Sequence, residues 1–164
     1  MRKSLIDTTS PAATQTPARS HGSWLDLDAI ATVEITSEDP LFPIEHALGS
    51  VPSSGWRAAA KGPQFIRLNF DQPTTIHHIH LHFADLAAER SQEFAIFAFD
   101  KDGEIKEVLR QQFTFSPQGS SEEIEDYTVD LPSVTTFELR IDPDRAHNPT
   151  HSQHYAVLKS LRLA

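Results

Sequence analysis

Apolar residues recur at every second position along most of this chain, and no stretch carries the 3.6-residue spacing of an amphipathic helix of useful length. In 64–70 (QFIRLNF), Ile66, Leu68 and Phe70 fall opposite Phe65. In 76–83 (IHHIHLHF), Ile79, Leu81 and Phe83 face one way and His78, His80 and His82 the other. Alternation of this kind suits strands with one face on a core and one in water. The pattern predicts strands at 32–36, 64–70, 76–83, 93–99, 105–115, 124–131, 136–142 and 156–163, with one short helix at 44–48. Turn chemistry separates them at Asp71-Gln72-Pro73, Asp100-Lys101-Asp102-Gly103 and Leu131-Pro132-Ser133. The expectation is an all-β fold, an eight-stranded antiparallel β-sandwich.

A chain of 164 residues holds one such domain. Residues 1–22 read as a flexible N-terminal tail, because 8–22 (TTSPAATQTPARSHG) is polar, Pro-bearing and aperiodic. The domain is expected over 23–164, with Trp24 and Leu25 pinning the tail to it. Polar residues follow the basic start at once, so no apolar core of an export signal forms, and a cytoplasmic protein is expected. The absence of cysteine excludes disulfides, thiolate metal sites and thiol nucleophiles. A net charge of −9 opposes binding to nucleic acid or to an anionic membrane, since both need Lys and Arg in excess.

If successive strands run antiparallel, the connections 71–75, 100–104 and 132–135 share one end, and all are short. The other end receives 37–63, 84–92, 116–123 and 143–155. Long loops gathered at one end of a rigid sandwich suit a binding module with its site on the loops. Catalytic inventory is thin. There is no phosphate loop, nucleophile elbow or HExxH, and the carboxylate runs Glu122-Glu123 and Glu125-Asp126 read as a solvated strand start.

The ordered series VEITS (33–37), IEHALGSVPSSGW (44–56), QFIRLNF, IHHIHLHF, RSQEFAIFAFDKDG (90–103), FELRIDPD (137–144) and LKSLRL (158–163) resembles the discoidin, or coagulation-factor type C, family. These are galactose-binding-like jelly rolls, among them many bacterial carbohydrate-binding modules. The resemblance covers about 33–163. It implies two packed antiparallel sheets, no catalysis and ligand capture by loops at one end. Members often hold a structural calcium through an Asp-Gly pair before the residue matching Trp56 and an acidic residue in the last strand. Here those positions read Gly49-Ser50 and Ser160, so no cofactor and no calcium is expected, with Glu45 or Asp39 as the only substitutes in reach.

The expected function is therefore a non-catalytic module for carbohydrate or another small polar ligand. The alternative is an intracellular protein-interaction or homo-oligomeric assembly domain. Candidate ligand residues are His46, Arg57, Arg90, Arg145, His147, Asn148, His151, His154 and Tyr155, which offer one aromatic face and planar hydrogen-bonding groups for vicinal hydroxyls. Arg90 has a competing reading as a loop anchor through bidentate pairing. Trp56 is expected as a core plug under the first long loop. His78, His80 and His82 have the spacing to share a metal, but the sequence fixes no carboxylate beside them, and the expected assignment is a polar outer face without metal.

Overall fold

The computed structural model describes residues 1–5, 24–49, 54–85, 89–145 and 154–164. Nine strands and two single-turn helices follow one another in the order β1 (Arg2–Leu5), α1 (Leu27–Ile30), β2 (Ala31–Ile35), α2 (Glu45–Leu48), β3 (Trp56–Lys61), β4 (Gln64–Ala84), β5 (Arg90–Asp100), β6 (Ile105–Phe115), β7 (Glu122–Asp142), β8 (Tyr155–Leu158) and β9 (Ser160–Leu163). The two predicted strands at 64–70 and 76–83 are one strand that bends, and so are 124–131 and 136–142.

β4 and β7 pair antiparallel along their whole length, from Gln64↔Ile141 to Ala84↔Glu122, with register shifts between Asn69 and His78. The first half of β4 also pairs with β2, and the second half of β7 with β5, giving the sheet order β1-β2-β4-β7-β5-β6. Beyond the bend, β9 takes the free side of β4 through Ile79↔Leu163 and Leu81↔Leu161. The two halves of the bent pair thus belong to opposite layers of a jelly-roll sandwich. The register shifts also change parity: buried positions are Ile66, Leu68, Phe70 and Ile76 before them, and Ile79, Leu81 and Phe83 after. Phe83 of the smaller layer meets Phe94 of the larger one with centroids 5.1 Å apart, and Trp56, Phe115 and Phe137 complete the core. Each such ring contributes roughly 2–3 kcal/mol by leaving water.

Two expectations are corrected. Nine strands stand among the described residues, and the sheet is mixed, because residues 2–5 are not tail but a strand parallel to β2, paired from Arg2↔Thr32 to Leu5↔Ile35. Lys3 holds it there, with Nζ 2.8 Å from both Glu38 Oε1 and Glu45 Oε2. The other addition is a two-stranded ribbon of β3 and β8, which starts with Trp56↔Leu158. Gly55, just before it, has φ +81, and a Cβ there would stand 2.5 Å from the Leu158 carbonyl oxygen. Among the described residues no helix is long and apolar enough to cross a membrane.

The polar residues on the inner face include Glu123. Glu123 is 2% exposed, opposite Phe83, and Gln111 Nε2 lies 3.5 Å from its Oε1 and 2.5 Å from Glu125 Oε1. Burial, and then the charge of Glu125, push the Glu123 carboxyl up to about 7. The folded chain therefore keeps a proton that the unfolded chain releases near 4.5. This stabilisation is complete below that pH and is lost as the pH rises through about 7. Glu123→Gln is expected to flatten the decline and to be more stable than the parent at pH 8 by on the order of 2 kcal/mol. Urea melts of both proteins at pH 5 and pH 8 measure it, and parallel slopes would overturn the assignment.

Candidate functional site

The bend at 71–75, the turn at 101–104 and the bend at 132–133 meet at one end, since Thr74 and Asp100 both pair with Val134. The described ends of the connections 36–55, 85–89, 116–121 and 143–154 consequently lie at the opposite end. There the first long loop is tied down from beneath. Thr36 Oγ1 and Ser37 Oγ each donate to Gln64 Oε1 at 2.6 Å, and Ser37 Oγ accepts from the Ala59 and Ala60 amides. Glu38 accepts from the Ile44 amide at 2.7 Å, and Asp39 from the Leu41 amide at 2.9 Å. Trp56 is 1% exposed and donates from Nε1 to the Ser37 carbonyl at 3.2 Å, which makes it the expected plug.

On this base the β3–β8 ribbon brings two long loops together. The exposed guanidinium of Arg57 lies over the half-buried Tyr155 ring, 5.1 Å from its centroid. Lys61 pairs with Tyr155 across the ribbon, and the His154 carbonyl accepts from the Gly62 amide at 3.4 Å. Backbone bonds from Arg57 N to Phe42 O and from Asp39 N to Arg57 O fix where the arginine leaves the chain. Arg57, His154 and Tyr155 are thus three predicted ligand residues that the fold does assemble, and Lys61 joins them.

The other candidates are elsewhere. Arg90 is buried, with a fully covered side chain: Nε reaches Asp85 Oδ2 at 2.8 Å, Nη1 reaches the Pro143 carbonyl at 2.9 Å and Gln92 Oε1 at 3.2 Å, and the guanidinium lies 4.6 Å from the Phe115 centroid. It anchors the bases of three loops, so its listing among ligand contacts is corrected. Arg145 is exposed but engaged, with Nε 2.6 Å from Glu93 Oε2. Hydrogen bonding from Arg110, and then from Arg145, holds the Glu93 carboxyl below the ordinary carboxylate range. Arg145 therefore belongs to an ion-pair chain on the outer face of the larger sheet. His46 lies within α2, with Nδ1 3.3 Å from Ser54 Oγ. His147, Asn148 and His151 lie outside the described residues, as does Ser50.

The histidine strand gained carboxylates that the sequence did not reveal. His78 Nε2 and His80 Nδ1 stand 2.9 and 2.8 Å from one oxygen, Asp126 Oδ1, and His82 Nε2 is 3.5 Å from Glu122. Hydrogen bonds from His78 and then His80 hold the Asp126 carboxyl low, while burial lowers the pKa of His82. Among the described residues no group of three or more His, Asp or Glu has the geometry to hold a metal ion. Glu45, one of the two substitutes considered for a cation, is held by Lys3; burial opposes its ionisation, but the Lys3 hydrogen bond, a backbone hydrogen bond and the charges of Lys3 and the N-terminus together keep the carboxyl low.

No family model and no curated protein sequence matches the chain. Solved structures do. A pectin-binding carbohydrate-binding module is similar over 82% of this chain and 89% of its own, at 14% identity and a TM-score of 0.57. The family 32 module of Clostridium perfringens NanJ, solved with galactose, is similar over 81% and 92%, at 16% identity and 0.56. A further family 32 module from the same organism, solved with GlcNAc-α-1,4-galactose, reaches 88% and 96%, at 13% identity and 0.61.

Replacing the loop anchor tests its role. Arg90→Met is expected to cost about 3 kcal/mol in a urea melt, because Asp85 and the Pro143 carbonyl lose a buried partner. An unchanged melt would return Arg90 to the ligand candidates. The fold that this anchor secures at the loop end is the jelly-roll sandwich of the carbohydrate-binding modules.

Proposed function

We propose that this chain is a non-catalytic carbohydrate-binding module that takes a neutral sugar at its long-loop end. The observation that carries the reading is Arg57 lying over Tyr155 at the mouth of two long loops. A phenol ring offers an apolar face to the C–H side of a pyranose, and a guanidinium beside it donates to a pair of vicinal hydroxyls. The likeness to modules solved with galactose and with GlcNAc-α-1,4-galactose supports the same ligand class. The rigid support also favours a preformed site, since Ser37, Gln64 and Trp56 lock the loop base before any ligand arrives.

The test is calorimetric or NMR titration with galactose, N-acetylglucosamine and their disaccharides. Affinities near 1 mM are expected, typical of about −4 kcal/mol. Tyr155→Ala and Arg57→Ala should each weaken binding about tenfold with little change in melting temperature, because Arg57 is exposed and Tyr155 only half-buried. A glycan array without a signal, together with blank titrations, would sink the reading.

Binding is proposed to need no metal. EDTA is expected to leave the sugar affinity and the melting curve unchanged, and a shift in either on chelation would contradict this.

A further inference from the structure

A second hollow lies on the flank of the sandwich, away from the Arg57–Tyr155 ribbon. It is a cleft of about 600 Å³ between β9 and the two short helices, walled by Trp24, Leu25, Leu48 and Arg162 among others. That volume falls within the range of small-molecule pockets, roughly 300–1,000 Å³.

Its aromatic wall is fixed from behind. Trp24 meets the ring of His78 edge-on at 5.3 Å and that of His80 at 6.0 Å. Both imidazoles are in turn held by the single oxygen Asp126 Oδ1. Leu25 N donates to the Leu163 carbonyl at 2.7 Å, which ties the indole's own backbone to β9. Beside it stands Arg162, directly across the ladder from His80 and half-buried, its guanidinium without a hydrogen bond or ion pair to any described residue.

The carboxylates on the same wall are all committed. Asp28 Oδ1 is 2.7 Å from the Met1 amino nitrogen, Glu45 accepts from Lys3, and Asp26 Oδ1 caps the Ala29 amide at 3.3 Å. Of the two cationic groups that line the cleft, the Met1 amino group is paired with Asp28 and the guanidinium of Arg162 has no carboxylate. A partly desolvated guanidinium offers a planar fork of donors that matches a carboxylate, and the indole beside it offers a face to a ring.

We propose that this cleft is a second ligand site, independent of the loop end, for a carboxylate carried on a six-membered ring. A uronic acid and an aromatic carboxylate share this chemistry. Arg162 takes the carboxylate, Trp24 takes the ring, and the His78–His80–Asp126 set positions Trp24 without touching the ligand.

Tryptophan emission reads the site in the full-length chain, because Trp56 is 1% exposed and Trp24 lines the cleft. Galacturonate and benzoate are titrated separately to about 20 mM, beside galactose and acetate as ring-only and carboxylate-only controls. At least one ring carboxylate is expected to change the emission saturably, and which of them binds more tightly identifies the source. Arg162→Gln should weaken that binding about tenfold or more, Arg162→Lys less, and raising salt from about 0.05 to 0.5 M should weaken it in the parent. Tyr155→Ala should leave it unchanged, which separates this site from the loop end. The proposal is overturned by no response to either ring carboxylate, by equal response to galactose, or by parent-like affinity in Arg162→Gln. Should Arg162→Gln melt lower than the parent, Arg162→Lys and the salt series decide: parent affinity in both overturns the carboxylate role.

Discussion

The bent ladder of β4 and β7 is the constraint from which the rest of the molecule follows. Two strands of 21 residues each stay paired while both turn from one layer into the other at 71–75 and 132–133. Because the pair returns to where it started, Gln64, Ala84, Glu122 and Asp142 all finish at the same end, and the chain must make its long connections there. Ser133, the one described non-glycine residue with positive φ (54°), sits at this corner and accommodates the turn just after Pro132. The bend also sets the parity of the core: without the shifts between Asn69 and His78, the smaller layer would bury His78, His80 and His82 and expose Ile79, Leu81 and Phe83.

What could be read in the sequence tracks what burial imposes on it. Alternation in 64–70 and 76–83 located both faces of β4 correctly, because every apolar residue there except Phe65 on the outer face is core. The same rule is silent for Arg2–Leu5, whose four residues are all exposed; this strand is held by pairing with β2 and by the ionic grip of Lys3 on Glu38 and Glu45. It is nearly silent for Trp56–Lys61, where only Trp56 and Ala58 are buried. Loop-end geometry was legible from connection lengths, since strand alternation alone assigns each connection to an end.

The side-chain partners were not legible, and the reason is register. Arg57 meets Tyr155 only through the β3–β8 pairing, and Asp126 reaches His78 and His80 only because β7 lies opposite β4 in one particular alignment. No local pattern encodes such a cross-strand alignment. Arg90 shows the converse, where chemistry suited to a ligand, an arginine at a loop mouth, serves the scaffold. Its position inside the loop bases, against Phe115 and Pro143, decides the matter, and residue type alone cannot.

Charge pairing separates scaffold from site more sharply than composition does. In a chain of net charge −9, carboxylates outnumber cations, so an arginine without a carboxylate is the exception. Arg2, Arg67, Arg90, Arg110, Arg140 and Arg145 each hold at least one Asp or Glu. Among the described arginines only Arg57 and Arg162 hold none; Arg57 lies over the Tyr155 ring, and Arg162 lines the cleft with Trp24. An unpaired guanidinium gives up only water to meet a ligand, and losing that water costs less than breaking an established ion pair. Among the described residues, the two arginines left out of the ionic network are for that reason the two at which the proposed ligands meet a guanidinium without breaking an ion pair of the scaffold.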